Sequence, residues 1–145
     1  MLLLGLKNIS SQAIATDGFV NLGNVYRKYC KKINGITTFS TNGESVSLNQ
    51  TGIYHLTLTA VGSGDVAGVV TLQLLINGEE VSGAFSSQTI TTPTTELRTF
   101  VIDYYILVDS SCVLSQPSIL AKTISVQNTG VDATFTSVVL NVERV

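Results

Sequence analysis

Few side chains in this sequence are of types that do chemistry, and their spacing limits how each can be read. His55 is the only histidine. It stands close to Thr57 and Thr59 with no serine or cysteine nucleophile motif beside it, so a general base here has nothing to activate. Its expected place is a surface or a subunit interface. Asp17, Asp65, Asp103, Asp109 and Asp132 are scattered and mostly stand at turns, where a short carboxylate caps the backbone. The sequence has no DxDxDG calcium loop and no carboxylate pair in a glycosidase context. GxSxG, phosphate-loop and HExxH patterns are missing too. Cys30 and Cys112 lack CxxC spacing and neighbouring histidines. That argues for two free thiols in a reducing cytoplasm and against a zinc site or a disulfide framework. No cofactor or metal is expected, and the chain reads as a non-enzyme.

Asp103 is the exception among the acids, because it lies inside LRTFVIDYYILV, the most apolar run. Phe100, Ile102, Tyr104, Ile106 and Val108 share one face, and Val101, Tyr105 and Leu107 make the opposite face apolar as well. A strand that is hydrophobic on both sides is expected to be covered on both sides, which marks it as the inter-subunit element. Phe100, Ile102, Tyr105 and Leu107, together with His55, are the expected interface residues. An aspartate in such a place needs a cation, such as Arg98 or a member of the basic cluster, because an unpaired buried carboxylate is costly.

That cluster is Arg27, Lys28, Lys31 and Lys32, half of the chain's eight lysines and arginines within six positions. It fits either a strand edge guarded by lysines or an electrostatic contact with an acidic partner. Nucleic acid is not expected, since the net charge is −2 and no aromatic residues are interleaved along a basic groove. The leader MLLLGLKN has no basic residue before its apolar run and no cleavage signal after it, so it does not read as an export signal. It reads as an edge strand or as a short apolar anchor. Leu2, Leu3, Leu4 and Leu6, with the four basic residues, form the candidate attachment set.

These groups are positioned by strands. In GIYHLTLTA, Tyr54, Leu56, Leu58 and Ala60 alternate with His55, Thr57 and Thr59, and Val70, Leu72, Leu74 and Ile76 repeat the pattern. The stretch from Gly52 to Asn77 is expected to form a central hairpin, joined by a mobile, exposed, glycine-rich loop over 62–68. Asn77-Gly78 supplies the next tight turn, and Gly23 a bulge or bend. The segment 86–96, rich in Ser and Thr, is an edge strand or a loop. About eight to ten strands without helical periodicity make the class all-β, an antiparallel β-sandwich or jelly roll. The 145 residues suit one domain, with 1–18 as an attachment or edge segment and 19–145 as the sandwich. Charged residues are 12% against 44% hydrophobic, with a mean hydropathy of +0.36. No apolar run approaches the ~20 residues of a membrane helix, so the excess points to an oligomer interface and not to a membrane.

The order R-K-x-C, then G-x-x-V-x-L-x-x-x-G-x-Y-x-L, then L-x-L-x-x-N-G-x-x-V-x-G, then a closing apolar strand spans roughly 19 to 145. The residues are Arg27, Lys28 and Cys30; Gly43, Val46, Leu48, Gly52, Tyr54 and Leu56; Leu72, Leu74, Asn77, Gly78, Val81 and Gly83; and the strand from Val138. This pattern resembles the small jelly rolls of the tumour-necrosis-factor/complement type found in bacteria, on spore surfaces and in tailed-phage virions. The resemblance implies a homotrimer packed around a threefold axis. With no collagen-like stalk, the chain looks most like a capsid-decorating or head-fibre protein, such as those of crAss-like phages. That implies assembly in a bacterial cytoplasm, a place on the capsid surface, and a major capsid or other virion protein as partner. No binding residue carries over, because the matched pattern is that of the scaffold. A carbohydrate- or receptor-binding β-sandwich of a phage tail or bacterial surface stays open, with Tyr26, Tyr29 and Tyr105 as the tyrosines for a host-surface glycan.

Overall fold

The computed structural model describes residues 3–29, 39–109 and 121–145. Cys30, Lys31, Lys32, Cys112 and Leu2 lie outside them. Eleven strands run through the described residues: β1 (Leu3–Asn8), β2 (Gln12–Ile14), β3 (Asn24–Tyr29), β4 (Phe39–Thr41), β5 (Ser45–Leu48), β6 (Gly52–Gly64), β7 (Gly68–Ile76), β8 (Glu79–Ile90), β9 (Arg98–Val108), β10 (Lys122–Asn128) and β11 (Ala133–Arg144). They form two antiparallel sheets. The larger runs β3-β1-β11-β6-β9, with β2 also on β11, and the smaller runs β4-β5-β10-β7-β8.

Alternation produces the sandwich. Tyr54, Leu56, Leu58 and Ala60 of β6, Phe100 and Ile102 of β9, and Val138, Leu140 and Val142 of β11 all point inward and are buried. They meet Val70, Leu72 and Leu74 of β7 and Ile124 and Val126 of β10 in one apolar cluster. Each fully buried Leu or Phe contributes about 1.5–3 kcal/mol by leaving water. Phe100 and Phe135 pack edge to face with ring centroids 5.5 Å apart, an arrangement that the aromatic quadrupole favours. The Tyr54 hydroxyl donates to the Gln50 carbonyl at 2.8 Å, which lets a phenol sit in this core.

Two expectations need correction. The stretch from Gly52 to Asn77 is not a hairpin, since β6 and β7 belong to different sheets and the chain crosses the sandwich between them. Its connection is also shorter than 62–68: β6 continues to Gly64, and Gly62, Ser63 and Gly64 are buried. Within residues 3–18, β1 and β2 both pair with β11, and β1 lies inside the sheet with β3 outside it. The Asn77-Gly78 turn is as expected, with φ of 53° and 80°, and it joins β7 to β8. The segment 86–96 divides, its first half completing edge strand β8 and the rest forming a turn.

The edges of the larger sheet are protected differently. On β9, Ser86 Oγ accepts from the Val101 amide at 3.3 Å, and Gln88 Nε2 donates to the Thr99 carbonyl at 3.2 Å. These β8 side chains answer backbone groups that an open edge would offer to another chain. On the other edge, β3 is exposed along its whole length and carries Arg27 and Lys28.

Candidate self-association face

The outward side chains of the larger sheet stand in rows set by strand register. One row runs Tyr29, Leu3, Glu143, His55, Tyr105 across β3, β1, β11, β6 and β9. The next runs Arg27, Gly5, Asn141, Thr57, Asp103. On the β9 side, Tyr105 and Leu107 are 60% and 59% exposed, with Ile53, opposite Leu107, and Val101 at about half. Four large apolar side chains thus form an exposed strip on one face, of the kind that marks an interaction surface.

His55 sits at the inner border of this strip. Its Nε2 lies 2.5 Å from Asp103 Oδ1, and its Nδ1 lies 3.5 Å from Glu143 Oε1. Together these contacts hold the imidazole pKa above its ordinary value. The hydrogen bond to Asp103 is the largest influence; burial opposes it, and the contact with Glu143 adds to the rise. The carboxylates address opposite ring nitrogens, so they do not converge on a point where a metal ion could sit, and no such group occurs among the described residues. Asp103 is itself exposed, and its partner is His55. The expected Arg98 instead pairs with Glu96, Nη2 to Oε2, at 2.9 Å. The apolar outer side of β9 had suggested a buried carboxylate, but Asp103 is exposed there, and among the described residues nothing covers that side.

The structure divides the expected interface set. His55, Tyr105 and Leu107 share the outer face, whereas Phe100 and Ile102 fill the core and are unavailable to a partner. The attachment set divides likewise. Leu4 and Leu6 are buried in the protomer's own core. Leu3 and Arg27 face outward and line a depression of about 230 Å³ with His55, Thr57, Asn141 and Glu143. Lys28 is exposed on β3 opposite Leu4. Leu2, Lys31 and Lys32 lie outside the described residues. Tyr26, singled out as a tyrosine for a glycan, makes a contact that sequence reasoning missed: its ring lies over Gly5, where a Cβ would come within 2.8 Å of it. Its hydroxyl donates to Asn141 Oδ1 at 2.8 Å. Only the pairing of β3 with β1 reveals that contact.

No family model and no curated protein sequence matches the chain. Solved structures do match in fold. Murine APRIL aligns over 98% of both chains with a TM-score of 0.65 at 13% identity. The globular domain of zebrafish complement 1qA aligns over 100% of this chain and 98% of its own, with a TM-score of 0.64 at 7% identity. The vertex protein P5 of phage PRD1 aligns over 99% of this chain and 96% of its own, with a TM-score of 0.59 at 14% identity. At these identities the likeness is one of fold: an all-β jelly roll of the tumour-necrosis-factor/complement type.

Proposed function

We propose that this protein is a non-enzymatic structural component of a phage virion. It forms a trimer through the outer face of its larger sheet and decorates the capsid, as an auxiliary or head-fibre protein. The observation that carries this reading is the exposed strip of Ile53, Val101, Tyr105 and Leu107 on one flat sheet face. Solvated strands of a monomer are normally polar there, and burying such a strip against another copy removes the cost of exposing it. The two sides of the face also differ in charge, with Arg27 on β3 and Asp103 and Glu143 toward β9. Unlike ends of one face suit a head-to-tail contact that closes a ring. The shared fold with a phage vertex protein supports a virion setting.

Attachment to the shell falls to the end where Leu3 pairs with Tyr29 and Leu4 with Lys28, which puts the leader and the basic residues side by side. Positive charge there orients docking on an acidic shell in a salt-dependent way. The turns at 65–67 and 91–97 lie at the other end and face outward from the particle. Particle incorporation tests the attachment. Replacing Lys28, which lies off that face opposite Leu4, with serine should lower the copy number on purified capsids while the oligomer persists, and undiminished decoration would contradict it.

A further inference from the structure

On the β1–β3 side, where residues 19–23 pass from the smaller sheet to the larger, a groove of about 690 Å³ is lined by Lys7, Asn8, Asn21, Asn24, Tyr26 and Asn42, among others. It is a framed surface. The Leu22 amide donates to the Gly43 carbonyl at 2.6 Å, tying the crossing segment to the β4–β5 turn. Gln12 exchanges two hydrogen bonds with the Asn21 backbone, both at 2.9 Å. Gly23 has φ of 81°, and a Cβ there would fall 2.1 Å from the Lys7 carbonyl oxygen, so only glycine allows this close approach.

The frame uses up acceptors and leaves donors. Asn8 Oδ1 accepts from the Ser10 amide at 3.0 Å, Asn21 Oδ1 from the Gly23 amide at 2.8 Å, and Asn42 Oδ1 from the Ser45 amide at 2.9 Å. Asn8 Nδ2 also donates to the Asn21 carbonyl at 3.1 Å, so what these side chains have left for a ligand is chiefly one N–H of Asn8 and the amide N–H groups of Asn21 and Asn42. Lys7 Nζ stands 5.2 Å from the centroid of the Tyr26 ring, which is itself held by its bond to Asn141. Asn24 is the register partner of Lys7 on the neighbouring strand. Ile9, Val25 and Tyr26 add exposed apolar surface. Among the described residues that line the groove there is no aspartate or glutamate.

We infer that this groove binds an acidic oligosaccharide, with the sugar carboxylate at Lys7, its hydroxyls on the asparagine amides, and a C–H face of the ring against Tyr26. An ammonium beside amide donors matches a carboxylate flanked by hydroxyl oxygens, and a few convergent polar groups against apolar walls are the usual makeup of a small-ligand site. A divalent cation finds no carboxylate among the described lining residues, and Lys7 with Arg27, whose guanidinium lies 5.6 Å from the centroid of the same Tyr26 ring, makes too few charges to follow a phosphate backbone. Lys7 is four residues along β1 from Leu3, about 13 Å from the His55–Tyr105 row at strand spacing. Covering that row therefore does not require covering the groove. The inference is independent of the virion reading.

The test is an amide and side-chain NMR titration of the intact chain with sialyllactose and with tri-galacturonic acid, using lactose as the neutral control. Saturable shifts centred on Lys7 to Ser10 and Asn21 to Tyr26 are expected with the acidic sugars, at least tenfold weaker with lactose, a discrimination of about 1.4 kcal/mol. Lys7→Met and Asn24→Ala should each weaken binding severalfold in chains whose remaining spectrum is unchanged. Asp65→Asn, outside the groove, should leave it intact. No saturable binding of either acidic sugar, equal affinity for lactose, shifts centred elsewhere, or full affinity in Lys7→Met would each overturn the assignment.

Discussion

Tyr105 stacks on His55 across β6 and β9, with ring centroids 4.6 Å apart and planes 13° from parallel. Register places the two directly opposite one another, and Asp103, two residues back on the same face of β9, reaches diagonally to the imidazole edge. The ring is therefore held by contacts on its face and at both nitrogens, and it joins the apolar strip of β9 to the acidic side chain of β11. A single histidine thus connects the charge pattern of the face to its hydrophobic surface.

That arrangement makes His55 a basic histidine. Its folded-state pKa is raised, so the contribution of the Asp103 contact to folding is fully present below the ordinary value of about 6.5 and is lost as pH rises through the folded midpoint. An NMR titration of the imidazole should show a midpoint above that value, and Asp103→Asn should bring it down. A wild-type midpoint at or below the ordinary value contradicts the described geometry.

Neighbouring positions on β9 should respond in opposite ways. Tyr105→Asp puts a charge into the proposed contact and should weaken assembly by a few kcal/mol while the protomer stays folded. Phe100→Ala opens a cavity against Phe135 and should cost about 3–5 kcal/mol of folding stability. Sedimentation read beside urea denaturation separates the two. Unchanged assembly in Tyr105→Asp would remove that residue from the interface.

The turn at 91–97 depends on one carboxylate. Glu96 Oε1 accepts from the Thr91 amide at 3.1 Å and from its hydroxyl at 2.9 Å, and Oε2 accepts from Arg98. These bonds, the Thr91 amide foremost, lower its pKa to about 2. The depressed value means the stabilisation is present above the ordinary carboxylate range and fades as pH falls toward that figure. Glu96→Gln should speed amide exchange across the turn at neutral pH and leave β9 protected. Equal exchange in both proteins would show that the carboxylate does not hold the turn.

Period-two alternation made the inward residues of β6, β7, β9 and β11 legible, and Asn77-Gly78 announced its own turn. Alternation says which side chains face the core but not which strand comes next, so two consecutive strands such as β6 and β7 read as a hairpin though they lie in opposite sheets. The partner of Asp103 was hidden for the same reason. His55 is 48 residues away, and only the β6–β9 register brings it near. Phe100 and Ile102 entered the interface set because an apolar strand shows no bias between core and partner. The groove around Lys7 was invisible because its lining comes from β1, β3, the crossing over 19–23 and the β4–β5 turn, which only the fold brings together.

The solution mass of the intact chain tests the central claim most directly. Light scattering coupled to gel filtration at micromolar concentration should give a single species at three times the protomer mass of 15.4 kDa, and Tyr105→Asp should shift it downward. A species at 15.4 kDa under the same conditions would contradict the account, since the exposed strip on β6 and β9 would then have no copy to cover it.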